Sequence, residues 1–392
     1  MDHQTLTGSC AIVGAGHTAY TRGTGRSTLG LHLEAALRAL DDAGLCPADV
    51  DGVMPSASAG RCAEDFIRNL GLRDLAFSST VHMGGASTVA SIQSACLAIS
   101  AGLASCVLVP AGRRGYSGER VSTGQNVKET IMSDVAEFEA PYGNLAAAQW
   151  FAQAAQRHMH CYGTTSEQLG HIAVTMREHA NLNPGALMYG KPMTLADHQN
   201  SRMITTPFRL FDCSLESDGA GALVVTSAQR ARDLPQPPVY ISGIGEAHGY
   251  PPTSLTHKPD MAVVRSLQLA GAKAFAMAGV TTSDLDCLMI HEGFSWYVIA
   301  GLEALGVVKP GEGGPFAAEG HIRLDGTLPV NPSGGALSEG HVSGMNHLIE
   351  AVRQIRGQAP QPRQVPGCAT IAVATEGNFF DASVAVLTSE AA

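Results

Sequence analysis

The sequence predicts an α/β fold made of two similar βαβα halves with an insertion between them, and two internal correspondences carry that prediction. Ala43–Met54 reads AGLCPADVDGVM and Ala278–Met289 reads AGVTTSDLDCLM, so Ala-Gly, two aspartates and a methionine recur at a constant offset of 235 residues. A Gly-Gly turn then leads twice into a helical segment and an apolar strand. The first instance is GGASTVASIQSACLAISAG from Gly84, followed by SCVLVPAG from Ser105; the second is GGALSEGHVSGMNHLIEAVRQIRG from Gly334, followed by ATIAVATEG from Ala369.

Each element follows from local chemistry. AIVGAGHTAY, from Ala11, is an apolar run broken by glycines and reads as the first strand; it lacks the third glycine of a dinucleotide fingerprint. Leu31 to Ala43 has the Ala/Leu pattern of a helix that stops at Gly44, and Ser266 to Ala278 repeats it before Gly279. In both copies a D-[VL]-D turn opens a short apolar strand. Residues 113–207 are richer in His, Met, Asn and Tyr, with helices expected over Leu145 to His158 and Ser166 to Ala180; this is the insertion, read as a cap. DCSLESDGAGALVVTSAQRAR, from Asp212, returns to a buried strand that completes the first sheet. The expected division is 1–112 plus 208–235 for the first half, 113–207 for the cap and 236–392 for the second half. No low-complexity linker separates the halves, so they are expected to pack on each other.

Composition narrows the function. With 392 residues, 45% hydrophobic and 15% charged, a large buried core is expected. A formal charge of -10 without any Lys/Arg cluster argues against nucleic acid or an anionic membrane surface as partner. The N-terminus lacks a leader pattern and no apolar run approaches the ~20 residues of a membrane span, which leads us to expect a cytoplasmic protein. Nine cysteines without a C-x-x-C pair form neither a metal site nor a disulfide framework, and most read as small buried hydrophobes. No metal site is expected.

Three further motifs carry a family resemblance. HEGF (His291 to Phe294), NPSGGALSEGHVSG (Asn331 to Gly344) and DGAGALVV from Asp218 resemble motifs of the thiolase superfamily, over nearly the whole chain. The branch is that of the sterol-carrier-protein-type thiolases, to which YGKPMTLADHQNSRMITTPFRLFDC (Tyr189 to Cys213) is also similar. The resemblance implies a thiolase-like five-layer αβαβα body, a CoA thioester as substrate and no tightly bound cofactor. It also implies a homodimer and a small OB-fold and zinc-ribbon partner protein. His291 and His341 are the catalytic residues that it suggests.

Two departures from the family pattern set the expected reaction. A thiolase carries its nucleophilic cysteine at the start of the helix after the first Gly-rich turn, where amides and the helix dipole stabilise charge; counting back from Gly102, this chain has Gly85 there. The family's second cysteine falls in ATEGNFF, at Thr375 or Glu376. Members of the branch that lack these cysteines resemble retro-aldol lyases of hydroxyacyl-CoA, with tyrosines at the positions of His291 and His341. The expected reaction is retro-aldol cleavage, or aldol addition, of a β-hydroxyacyl-CoA by acid-base chemistry without an acyl-enzyme. A Claisen thiolase or acyltransferase and a non-catalytic acyl-CoA or lipid-binding subunit are the alternatives.

Such a reaction needs a base for the β-hydroxyl and donors for the enolate oxygen, and imidazole can serve as either. His291 and His341 fill these roles in an order the sequence leaves open. Backbone amides near Gly85 and Gly377 are expected oxyanion donors, and Gly85 is expected to leave space for a substrate branched at the reacting carbon. His82, Asn331, Phe294 and Gly335 are candidate pocket residues, and Glu292 reads as a structural carboxylate. Arg113, Arg114 and Lys191, in the cap, are candidate contacts for CoA phosphates.

Overall fold

A computed structural model describes residues 6–56, 59–118, 120, 135–249, 258–377 and 381–391. Residues 121–134 of the expected cap lie outside it. The strands are β1 (Cys10–His17), β2 (Gly52–Val53), β3 (Phe77–Ser78), β4 (Cys106–Arg114), β5 (Met203–Thr205), β6 (Phe208–Arg209), β7 (Asp218–Ser227), β8 (Val239–His248), β9 (Cys287–Ile290), β10 (Thr370–Gly377) and β11 (Asp381–Thr388). The helices are α1 (Thr28–Asp42), α2 (Ala63–Leu70), α3 (Ser87–Ser100), α4 (Ala147–Tyr162), α5 (Ser166–Asn181), α6 (Leu195–Gln199), α7 (Ala228–Ala231), α8 (Arg265–Ala278), α9 (Trp296–Ala304), α10 (Gly313–Ala318) and α11 (Met345–Ile355).

The main sheet runs β3-β2-β4-β7-β1-β8-β11-β10-β9. Apart from β3 at one edge, it is symmetric about the β1–β8 junction, where Ala11 pairs with Tyr240 and Ile12 with Val239. On one side β2 and β4 are parallel and β7 and β1 antiparallel; on the other, β9 and β10 are parallel and β11 and β8 antiparallel. The duplication in the sequence is therefore a duplication of topology. Helices α3 and α11 each pack against strands of both half-sheets, with α1 outside the first half and α8 outside the second, which gives the αβαβα layering.

The outer helices lie unusually close to their strands, and for the same reason in both halves. A Cβ at Gly14 of β1 would stand 2.1 Å from the Ala39 carbonyl of α1; one at Gly243 of β8 would stand 2.0 Å from the Ala274 carbonyl of α8. The glycines of AIVGAG are thus spent on helix–strand contact, not on a nucleotide.

The repeated aspartates act alike as well. Asp51 accepts from the amides of Ser105 and Cys106 at 2.8–2.9 Å, fastening β2 to the start of β4. Asp286, its counterpart, accepts from Ala369 and Thr370 at 2.8 and 2.9 Å, fastening β9 to β10. Replacing either by Ala leaves two amides without their charged acceptor and is expected to cost about 1–2 kcal/mol. The two losses should add, because the sites lie in different halves; urea midpoints of the single and double variants check this.

Two local expectations need correction. The Gly334-Gly335 turn does not feed a helix directly: residues 335–339 make a wide turn around the Glu292 carboxylate, and α11 begins only at Met345. Arg113 and Arg114 belong to β4, a body strand, not to the cap. All nine cysteines are free, but Cys46, Cys62 and Cys161 are exposed and do not act as core hydrophobes.

Candidate active site

The site forms where the beginnings of α3 and α11 meet the ends of β9 and β10. Thr88, in the first turn of α3, donates to the Ser343 carbonyl at 2.6 Å, and Ser383 of β11 donates to the Ala86 carbonyl at 2.7 Å. The first bond holds the two glycine-rich turns against each other, and the second ties the Gly85 turn to β11. Gly377, at the end of β10, sits on the Gly85 turn: a Cβ there would stand 2.5 Å from the Gly85 amide and 1.9 Å from the Met83 carbonyl.

His291 follows β9, its amide donating to the Ala374 carbonyl at 2.9 Å, which places its ring beside Gly85. His341 precedes α11 and is clasped by Ser217, whose hydroxyl accepts from the His341 amide at 2.8 Å and donates to its carbonyl at 3.1 Å. The rings meet Nε2 to Nε2 at 3.1 Å. The Nδ1 of His341 lies 3.1 Å from the Ser214 hydroxyl, whereas Nδ1 of His291 faces the Glu376 carbonyl without reaching hydrogen-bond geometry.

Electrostatics keep both rings uncharged. Burial first, then His347 and Arg113, lowers His291 to about 3; burial, then Arg113, His291 and His347, holds His341 well below the ordinary range. Two neutral imidazoles that share an Nε2–Nε2 contact must present one N–H and one lone pair. The pair thus holds an acid and a base in direct contact at neutral pH.

Glu292 organises the floor. It is fully buried, and it accepts from the Asn331 side-chain amide at 2.8 Å, from the Leu337 amide at 3.1 Å and from His347 Nε2 at 2.8 Å. Gly335, with φ 57°, has no room for a Cβ because the Glu292 carboxylate lies 1.9 Å from where it would be. Asn331 also bonds both backbone groups of Ile290, at 2.9 and 2.8 Å. Asn331 and Gly335 accordingly shape the loop that carries His341 and do not line an open pocket.

The remaining sequence-level candidates divide. Gly85, Gly377, His291 and His341 come together. Phe294 does not join them; it is buried in the core, stacked on Phe208 at 5.0 Å and 2° and against Phe151 of α4 at 5.4 Å. His82 is exposed at the mouth of the Gly84 turn, and Lys191 is exposed with its ammonium on the Leu187 carbonyl. Arg114 has its Nε buried without a hydrogen-bond partner among the described residues, while the Arg113 guanidinium lies 3.8 Å from the Glu216 carboxylate and its charge disfavours protonation of both histidines.

The space expected beside Gly85 is filled. A Cβ at Gly85 would stand 2.7 and 2.8 Å from the His291 ring and 2.4 Å from the Glu376 carbonyl. The missing side chain makes room for the His291 imidazole, which fills the space expected for a branched substrate.

Several neighbours are not evident from sequence. His347, in the first turn of α11, stands with its ring centre 5.5 Å from that of His291. Its only sequence signal was its position six residues past His341. Glu376, one of the two positions at which the sequence places the family's second cysteine, is buried beside Tyr297, and burial pushes its carboxyl up to about 8, which the sequence does not indicate. Ser214 was masked by its surroundings, because a lone serine in a loop carries no signal of its own.

Residues 246–390 match the family model described as thiolase C-terminal domain-like. The chain is 38% identical over 387 residues to a steroid side-chain-cleaving aldolase of Thermomonospora curvata, covering 97% of this chain and 98% of that one. The chain belongs to the thiolase superfamily. Within this superfamily it is also 39% identical over 366 residues to a 17-hydroxy-3-oxo-4-pregnene-20-carboxyl-CoA lyase of Mycobacterium tuberculosis, with 91% and 94% of the two chains covered. A solved structure described as an Ltp2-ChsH2(DUF35) aldolase superposes with a TM-score of 0.91, at 37% identity and 98% coverage of both chains. The sterol-carrier-protein-type branch read from the motifs is thus the one to which this thiolase-superfamily chain belongs, and the likeness includes aldolases of that branch.

Proposed function

We propose that the chain breaks the Cα–Cβ bond of a β-hydroxyacyl-CoA by a retro-aldol step run by the His291–His341 pair. The observation that carries this is the 3.1 Å contact between two neutral imidazoles at a glycine-lined turn without a cysteine. Proton placement orders the roles. An unprotonated Nδ1 on His291 would set its lone pair against the Glu376 carbonyl, so Nδ1 carries the proton and Nε2 is the base. His341 then offers Nε2–H, with Nδ1 accepting from Ser214.

In this reading the Nε2 of His291 takes the β-hydroxyl proton, the C–O bond becomes a carbonyl and the Cα–Cβ bond breaks. Its electron pair passes to Cα and is delocalised onto the thioester oxygen, which receives a hydrogen bond from His341 Nε2–H and from amides of the Gly85 and Gly377 turns. The proton on His291 then moves to Cα, which releases the shorter acyl-CoA and restores the base. Atoms and charge balance with no covalent enzyme intermediate. A neutral base suits this role because burial prevents its protonation before substrate arrives.

The names of the two relatives suggest a polycyclic, steroid-type acyl-CoA with the hydroxyl on the β-carbon. The DUF35 component of the aldolase complex suggests a small partner protein, and a homodimer is proposed from the family resemblance alone. The test is product analysis of the chain, purified with and without a neighbouring DUF35-type protein, on β-hydroxyacyl-CoA and β-ketoacyl-CoA substrates. Cleavage of the hydroxy compound to a carbonyl product and a shorter acyl-CoA is expected. Thiolysis of the keto compound by free CoA would contradict the reading.

A further inference from the structure

Residues 212–215, between the cap and β7, bond to both loops that carry the catalytic histidines. The Ser214 amide donates to the Gly293 carbonyl at 2.9 Å, in the loop that follows His291, and the Leu215 amide donates to the Ala336 carbonyl at 3.0 Å, in the turn that precedes His341. Cys213 and Phe294 form an antiparallel bridge beside them. From this strap the half-buried Ser214 places its hydroxyl 3.1 Å from His341 Nδ1.

The start of the strap is held by a polar cluster that the reaction does not use. His198 of α6, Asp212 and Ser295 are all fully buried. Asp212 Oδ1 accepts from His198 Nε2 at 2.8 Å and from the Ser295 hydroxyl at 2.6 Å, and Oδ2 accepts from the Arg209 amide at 2.7 Å. The Asp212 carbonyl accepts from the Ser295 amide at 2.9 Å. Gln199 brings its side-chain amide to 3.2 Å from His198 Nδ1, so Nδ1 accepts and Nε2 donates. Although Ser, His and Asp meet here, the serine hydroxyl donates to the carboxylate and not to the imidazole, so it gains no base. What the cluster fixes is the register of the strap on the loop after His291.

We infer that Ser214 is a positioning residue for the reaction, anchored through Asp212 to cap helix α6: its hydroxyl donates to His341 Nδ1 and fixes both the rotation of that ring and the nitrogen that carries its proton. If the hydroxyl accepted instead, His341 would carry its proton on Nδ1, His291 would carry one on Nε2, and acid and base would be exchanged. Donation keeps Nε2–H on His341 and the lone pair on His291 Nε2, the order that the Glu376 carbonyl also favours. The anchor matters because a slip of the strap by ~0.5 Å takes the hydroxyl beyond hydrogen-bond reach.

The test uses full-length S214A, S214T and D212N, with melting temperatures recorded for each. Ring 15N shifts of His341 in the resting protein report which nitrogen is protonated, and kcat and KM are measured separately with a β-hydroxyacyl-CoA. S214A should change His341 from a single Nε2–H form to a mixture of tautomers and lower kcat by about tenfold at unchanged KM. S214T keeps the hydroxyl and should keep both properties. D212N should move the His341 shifts in the same direction as S214A, and the S214A/D212N double variant should lose no more kcat than S214A, because both act through one hydroxyl. His341 shifts that stay in place in S214A, a loss in S214T equal to that in S214A, or a further loss of kcat in the double variant would each overturn the inference. The kinetic arm rests on the retro-aldol reading, but the ring shifts do not. Shifts that move as expected in a protein that cleaves no β-hydroxyacyl-CoA would support the role of Ser214 and remove that reading.

Discussion

Replacing His341 by Ala is expected to lower kcat by about 10²–10⁴-fold, because in the proposed mechanism it removes the Nε2–H that meets the base His291 and that is assigned to the thioester oxygen. Substrate binding should change far less, as most of an acyl-CoA lies away from this ring. The fold should survive, since the backbone of residue 341 is held by Ser217 and not by the imidazole. His291→Ala should be as severe, and the double variant should be little worse than either single one, because the two rings act as a unit. Additive losses would show that the histidines work separately and would remove the pair from the mechanism. Steady-state kinetics of the three variants, with melting temperatures as the folding control, decide the point.

The second large effect is expected at Gly85. Restoring even a methyl group there forces a Cβ to within 2.7 Å of the His291 ring and 2.4 Å of the Glu376 carbonyl, distances that real side chains do not tolerate. The carbonyl belongs to a sheet strand and cannot retreat, so the Gly85 turn must move away from it and the ring must move with the turn. Displacing a catalytic base by about 1 Å costs on the order of 100-fold in rate. Gly85→Ala is therefore expected to lose about that much activity, and Gly85→Cys to lose as much without acquiring thiolase activity. Gly293, in the same HEGF motif, has open space where its Cβ would be and serves as the comparison. Activity retained in Gly85→Ala would mean that His291 has a second, equally productive position.

Much of this arrangement is legible in the sequence, and the reasons are physical. The paired aspartates repeat because each half must solve the same local problem, fastening a short outlying strand to its longer neighbour. Such solutions are short-range and leave a spacing in the chain. His291 and His341 are legible because each sits in a motif of fixed length that ends at the same place in space. His347 is not, since only the late start of α11 turns its ring toward His291.

Other residues mislead for related reasons. Phe294 and Asn331 stand within functional motifs, but their side chains are used to stack on Phe208 and to bond Ile290 and Glu292. Gly85 is the sharpest case: the sequence marks the absence of a side chain, but what fills the gap comes from residue 291, in the other half of the molecule. A contact between halves has no spacing to be read. Arg113 is similar, being placed by strand register, with Gly112 opposite Ala220 and Arg113 opposite Gly219.

In the proposed mechanism, neutral imidazoles cleave the carbon–carbon bond with no acyl group passing through the protein. The most direct measurement is the intact mass of the protein, quenched during turnover of a β-hydroxyacyl-CoA, together with the amounts of both products. An unchanged protein mass with carbonyl product and shorter acyl-CoA formed in equal amounts is the predicted result. A protein heavier by the acyl group, formed and consumed at the rate of turnover, would contradict it.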